Sequence, residues 1–308
     1  MGKIAFVFSG QGAQHVGMGK DLYDNFQCSK EIFDKADKAL NFKISELCFE
    51  GKAEELNLTE NTQPAILITS IAAMEALKEE KGIIPDVVAG LSLGEYSAHV
   101  CSGTFSFEDA VKLVRKRGRY MQEAVPVGIG TMAAIIGLDS ETVNRVCNEE
   151  SKSGVVEVAN YNCPGQIVIA GEVKAVENAC AKLKESGARK TIMLSVSGPF
   201  HTSMLKSAAE KLEIELENIN INDMKVPVIT NVTGDYVKNK GEVKGLLKKQ
   251  VMSSVRWEDT INKMIDDGVD TFIELGPGRT LTSFIKKINR KMTTFNIEKS
   301  EDLSKIQF

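Results

Sequence analysis

Near residue 90 the chain runs Val87-Val88-Ala89, then Gly90-Leu91-Ser92-Leu93-Gly94, then Glu95-Tyr96-Ser97-Ala98-His99-Val100. The opening triplet reads as a short buried strand, and the closing stretch reads as the start of a helix. A Gly-x-Ser-x-Gly turn between strand and helix is a nucleophile elbow, which lifts the serine hydroxyl clear of the sheet. Side chains in place of the two glycines would collide with neighbouring backbone in so tight a turn. Free N–H groups at the start of the following helix are placed to stabilise an oxyanion. The bland alternative is a glycine-flanked loop serine that caps a helix.

The rest of the chain supplies the layers that an elbow needs. Apolar strand-like runs alternate with helix-period segments from end to end, which is the α/β pattern. Lys3 to Phe8 is the first strand and ends in the tight turn Ser9-Gly10-Gln11-Gly12. A long helix is expected over 63–80, capped by Thr62, and a second over 107–124. From about 125 to 195 the order changes to β-α-β-β-α-β, the ferredoxin-like arrangement. Its strands are expected at 131–138, 155–160, 167–170 and 189–195, and its helices at 140–150 and 174–185. The expectation is an α/β-hydrolase-like large domain with a parallel sheet, made of 1–125 and 197–308. It is interrupted by a ferredoxin-like small domain, 126–196, bounded by Pro126-Val127-Gly128 and Ser197-Gly198-Pro199. Beyond the insertion the spacing predicts a helix over 202–217, a strand over 226–230, helices near 241–251 and 257–267, and a strand over 271–275. Gly276-Pro277-Gly278 then opens a final helix.

Composition narrows the function classes. Hydrophobic content of 43% and charged content of 26% over 308 residues are ordinary for a globular enzyme with room for a buried site. A net charge of −4 argues against nucleic acid as the main partner. No apolar run approaches the roughly 20 residues that span a bilayer, and Ile4 to Phe8 is too short for a signal-peptide core. Six scattered cysteines form no C-x-x-C pair, giving neither a zinc site nor a disulfide framework. A reducing cytoplasm, no metal and no membrane are therefore expected.

A serine hydroxyl needs a base within hydrogen-bond reach, and the chain has only three histidines. His99 lies about two helical turns beyond Ser92, too far for direct contact. His15 sits in the loop after the first strand. His201 follows Gly198-Pro199-Phe200 at the junction between the two expected domains, a favoured place for sites, and is the chosen base. No Asp or Glu between serine and histidine stands out as the usual triad acid, which weakens a plain esterase reading. On the second long helix, the stripe Ala110–Val114–Arg117–Met121 carries Arg117 toward the core. A buried guanidinium must find an anion; this is either a structural carboxylate or a substrate carboxylate held in a bidentate clamp. Gln11, at the end of the first strand, stands where a second oxyanion donor is expected. A lone Gly-Gln-Gly without a following Gly-Lys-Ser/Thr is no nucleotide loop.

These residues fall within a series of motifs that resembles the malonyl-CoA:acyl carrier protein transacylase family, which includes the acyltransferase domains of polyketide synthases. The resemblance runs end to end. It covers Phe8-Ser9-Gly10-Gln11-Gly12-Ala13-Gln14, Thr62-Gln63-Pro64-Ala65, Gly90 to Tyr96, Arg115 to Gly118 and Asn160 to Ile169. It continues through Gly198-Pro199-Phe200-His201, Gln250 with Val255-Arg256-Trp257, and Glu274 to Gly278. The resemblance implies that Ser92 is acylated, with His201 as its base and Arg117 holding the malonyl carboxylate. It further implies that Gln11 and the Leu93 N–H form the oxyanion hole, and that the Gln250 main-chain carbonyl orients His201 in place of an acid. Malonyl-CoA would be the substrate, the phosphopantetheine thiol of acyl carrier protein the acceptor, and no cofactor would be permanently bound.

A stand-alone chain favours fatty acid synthesis over polyketide synthesis, with the enzyme acting as a monomer. Leu91 departs from the family's usual histidine before the nucleophile, which alters pocket shape and polarity without removing the base. Phe200-His201 matches the malonyl-selective pattern. Lys286, Lys287, Arg290 and Lys291, or Lys248 and Lys249, are candidate docking cations for an acidic carrier, or else a solvated helix face. The rivals are a serine thioesterase or hydrolase and a non-enzymatic carrier-binding subunit.

Overall fold

The computed structural model describes residues 2–194, 196 and 198–306. Strand β1 (Lys3–Phe8) is buried from Ile4 onward, as befits the interior of a parallel sheet covered on both faces. Four helices follow that the sequence reading did not anticipate: α1 (Lys20–Asn25), α2 (Gln27–Leu40), α3 (Ile44–Glu50) and α4 (Ala53–Leu56). Helix α2 turns Ile32, Phe33 and Ala36 inward and packs beside the long α5 (Thr59–Lys81).

Helix α5 corrects an expectation. It begins at Thr59, and Thr62 is no cap. The Asn61 and Thr62 N–H groups both donate to the Leu58 carbonyl at 2.8 Å, and the Thr62 hydroxyl donates back to Leu56 O at 2.6 Å. The Thr-x-Pro spelling imitates a helix start because Pro64 lacks an N–H. The helix simply absorbs the proline one turn in.

The elbow strand β2 (Val87–Gly90) leads into α6 (Gly94–Cys101), and then α7 (Phe107–Ala124) is capped by the Ser106 hydroxyl on the Asp109 N–H. The α5–α7 crossing is close because Gly118 has no side chain; a Cβ there would lie 2.4 Å from Thr59 O. The central segment forms β3 (Gly130–Ile136), α8 (Ser140–Glu150), β4 (Val156–Cys163), β5 (Gln166–Glu172), α9 (Val173–Glu185) and β6 (Lys190–Met193). The strand expected over 189–195 is thus shorter. Ser195, and Ser197 of the expected boundary, lie outside the described residues.

A 3₁₀ turn, Ser203–Leu205, opens α10 (Lys206–Glu217), so the α-helix starts later than expected. The strand expected over 226–230 is reduced to two isolated bridges, Val228 to Val88 and Ile229 to Tyr236, beside a Pro227 that has no N–H to give. The chain closes with α11 (Lys240–Val251), β7 (Val255–Arg256), α12 (Trp257–Asp266), β8 (Val269–Leu275), α13 (Thr280–Ile288), β9 (Thr293–Ile297) and α14 (Ser300–Leu303).

One sheet is wholly parallel, in the order β2-β1-β8-β9. The other runs β6-β3-β5-β4-β7, with β6-β3-β5-β4 antiparallel in the ferredoxin-like order. Its outermost strand β7 pairs parallel with β4 and comes from the C-terminal third of the chain, so this sheet is not built from 126–196 alone. Alternation along β3 sends Ala133 and Ile135 into a small core under α8 and α9. Met132 and Ala134 go instead into the large core of α5, α7 and α10. That face of the second sheet overlooks the end of β2, where the elbow lies.

Candidate active site

Ser92 sits in left-handed backbone at φ 53°, the strained turn expected of an elbow. Its flanking glycines are obligatory. A Cβ on Gly90 would lie 1.9 Å from the Gly94 carbonyl carbon, and one on Gly94 would lie 2.2 Å from Phe8 O. Asn231 clasps the turn, with its Oδ1 accepting from Ser92 N at 2.6 Å and its Nδ2 donating to Gly90 O at 2.8 Å.

His201 also occupies left-handed backbone, at φ 62°. Its Nδ1 lies 2.9 Å from the Gln250 main-chain oxygen and its Nε2 lies 2.7 Å from Ser92 Oγ. A carbonyl oxygen can only accept, so Nδ1 carries the proton and Nε2 accepts from the serine hydroxyl. Burial, and then the Arg117 charge, push the imidazole down to about 4. It is therefore a neutral base at pH 7. The other histidines are elsewhere. His15 Nε2 lies 3.2 Å from Glu298 Oε1 at the surface, and His99 is buried against Phe105.

Arg117 is 1% exposed. Its Nη1 donates to Gln63 Oε1 at 2.8 Å, and its Nη2 donates to Gln250 Oε1 at 2.9 Å and to Ser92 Oγ at 3.2 Å. The guanidinium lies over the Tyr96 ring at 5.2 Å. Every oxygen it bonds among the described residues is neutral. A guanidinium so placed keeps its charge inside the site, within hydrogen-bond reach of the nucleophile.

The cavity above the serine measures about 510 Å³. Gln11, Leu91 and Ser92 line it from the parallel-sheet side, Asn162 and Val168 from the second sheet, and Phe284 from α13. Leu91 therefore presents an apolar wall. Leu93, the N-cap of α6, is buried. Gln11 shares the cavity with Ser92.

Sequence reasoning missed Asn231 and Glu95. Glu95 Oε2 accepts from Asn231 N at 2.9 Å and from Gln250 Nε2 at 2.8 Å. The available signal was a carboxylate directly behind the elbow, in the first turn of its helix. Of the docking candidates, Lys287 donates to Gln166 Oε1, Lys286 to Met292 O, and Lys248 to Glu213.

Ser92 on its elbow, a neutral imidazole and a buried guanidinium thus meet at one point, and residues 5–302 match the family model for the acyl transferase domain. The chain belongs to that acyl transferase family. It is 52% identical over 304 residues to the malonyl CoA-acyl carrier protein transacylase of Bacillus subtilis, covering 98% of this chain and 96% of the relative. Identity to the Haemophilus influenzae enzyme of the same name is 46%, over 94% of this chain and 93% of the relative. The crystal structure of the malonyl CoA-acyl carrier protein transacylase from Clostridium perfringens superposes with a TM-score of 0.96 at 50% identity, covering 98% of this chain and 95% of that one. A malonyl-transacylase solved in complex with a type II polyketide synthase acyl-carrier protein superposes equally well, at 40% identity and 98% coverage of each chain.

Proposed function

We propose that this chain transfers the malonyl group of malonyl-CoA to the phosphopantetheine thiol of acyl carrier protein, in the cytoplasm and for fatty acid synthesis. The observation that carries the reading is Ser92 Oγ lying between His201 Nε2 and Arg117 Nη2. His201 Nε2 takes the hydroxyl proton as Ser92 Oγ attacks the thioester carbon. The oxyanion lies against the Leu93 N–H and Gln11; such donors are worth on the order of 10²–10³ in rate each. Collapse breaks the C–S bond, CoA leaves with the proton from His201, and malonyl-Ser92 remains with its carboxylate on Arg117. The carrier thiol then gives its proton to His201 and attacks the ester. Ser92 leaves as the alkoxide and recovers that proton. The Gln250 carbonyl holds the proton on Nδ1 and the ring in place throughout, the orienting task a carboxylate has in the Ser-His-Asp triad.

Intact-mass measurement after mixing with malonyl-CoA tests this. Wild type is expected to gain one malonyl group and Ser92→Ala none, and carrier protein is expected to discharge the adduct without free malonate. An equal adduct on Ser92→Ala would sink the mechanism, and malonate release without carrier loading would make the chain a hydrolase.

A further inference from the structure

Glu95 takes no part in that reaction, yet it is wholly buried directly behind the nucleophile. Burial raises its pKa against the pull of Asn231, Gln250, Thr230 and Arg117. A carboxylate held at such a cost is poor evidence of a stabilising role.

Its contacts suggest another role. The Gln250 side chain touches Glu95 Oε2 and Ser92 O through Nε2, at 2.8 and 2.9 Å, and Arg117 Nη2 through Oε1, at 2.9 Å. A carboxamide has one donating end and one accepting end. Glu95 Oε2 and Ser92 O both present lone pairs to the same end, which requires Nε2 there and leaves Oε1 facing the guanidinium. Turned over, the amide would set its donors against those of Arg117 and its oxygen against two oxygens. Through the same Oε2, Glu95 also holds Asn231 N, whose side chain clasps Ser92 N.

We infer that Glu95 is a positioning residue for the Arg117 clamp: it fixes the polarity of the Gln250 amide, and so the acceptor that holds the guanidinium beside Ser92. The inference rests on the reading of Arg117 as the seat of the acyl carboxylate. Its signature is selectivity. Loss of Glu95 should loosen the clamp and impair carboxyacyl donors more than neutral ones, which use only Ser92, His201 and the oxyanion donors. A glutamine at 95 can keep its carbonyl toward Gln250 Nε2 and Asn231 N while its amide faces the neighbouring Thr230 hydroxyl.

The test compares acylation of Ser92 by malonyl-CoA and by p-nitrophenyl acetate in wild type, Glu95→Ala and Glu95→Gln. For Glu95→Ala the malonyl-to-acetyl ratio of kcat/KM is expected to fall about tenfold or more, the scale of a charge-assisted hydrogen bond, and Glu95→Gln should recover most of it. Equal losses for both donors, or a glutamine variant no better than alanine, would overturn the inference. Should Glu95→Ala fail to fold, Gln250→Leu keeps the main-chain carbonyl on His201 and must show the same selective loss; an equal loss there overturns it too. A wild type that takes no malonyl group refutes the functional reading itself, whereas a loading wild type with unselective variants refutes only the role of Glu95.

Discussion

Ser92 and His201, the two residues between which a proton moves, both sit in left-handed backbone. L-residues avoid that conformation by about 1–2 kcal/mol, and such strain gathers at functional sites. The positive charge of Arg117 adds to burial in keeping the imidazole unprotonated, at about 4 rather than the ordinary 6.5. A base must be neutral to act, so activity is lost as pH falls through the folded value. The kcat/KM for p-nitrophenyl acetate should therefore rise through about pH 4 and stay level up to pH 7. Arg117→Ala removes one of the two causes and should move that acid limb upward. A wild-type limb near 6.5 would contradict this account of the base.

At the scale of elements, the elbow works because β1, β2 and α6 approach without side chains between them. Gly94→Ala drives a Cβ onto Phe8 O and should cost about 3 kcal/mol or more in urea unfolding, with loss of acylation. Gly245, exposed in the middle of α11 with nothing near its Cβ position, should behave oppositely, with Gly245→Ala gaining about 1 kcal/mol. These contrasts explain what was legible. The elbow, α7 and the ferredoxin-like order follow from local spacing, and Arg117 was found because helical periodicity set it on an apolar stripe. The start of α5 was misread because a threonine and a proline spell a cap that tertiary packing overrides. Helices α1, α3 and α4 are short, and helices of that length draw their stability from packing rather than from a local signal.

Over the whole molecule, enclosing the site leaves a second buried histidine, His99, which burial pushes down to about 3. Unfolding frees it to bind a proton at its ordinary 6.5. The unfolded chain then holds more protons between those values, and stability falls as pH drops from about 6.5 toward 3. His201 adds to the loss down to about 4. His99→Leu should flatten this decline, recovering on the order of a few kcal/mol at acid pH. Urea unfolding at pH 8 and pH 4.5 checks it, and an unchanged slope would exclude His99 as the cause. The sequence by itself determined the chemical kit: serine on an elbow, three histidines from which to choose, and an arginine turned inward. Turns and helical faces depend on neighbours in the chain, so spacing reveals them. Only the tertiary structure decided that Arg117 would meet neutral oxygens instead of a carboxylate, and that Asn231, Gln250 and Glu95 would lock together behind Ser92. Those hydrogen bonds join residues far apart in sequence, and burial, which decides whether each polar atom finds a partner, exists only once the sheets have closed over the site.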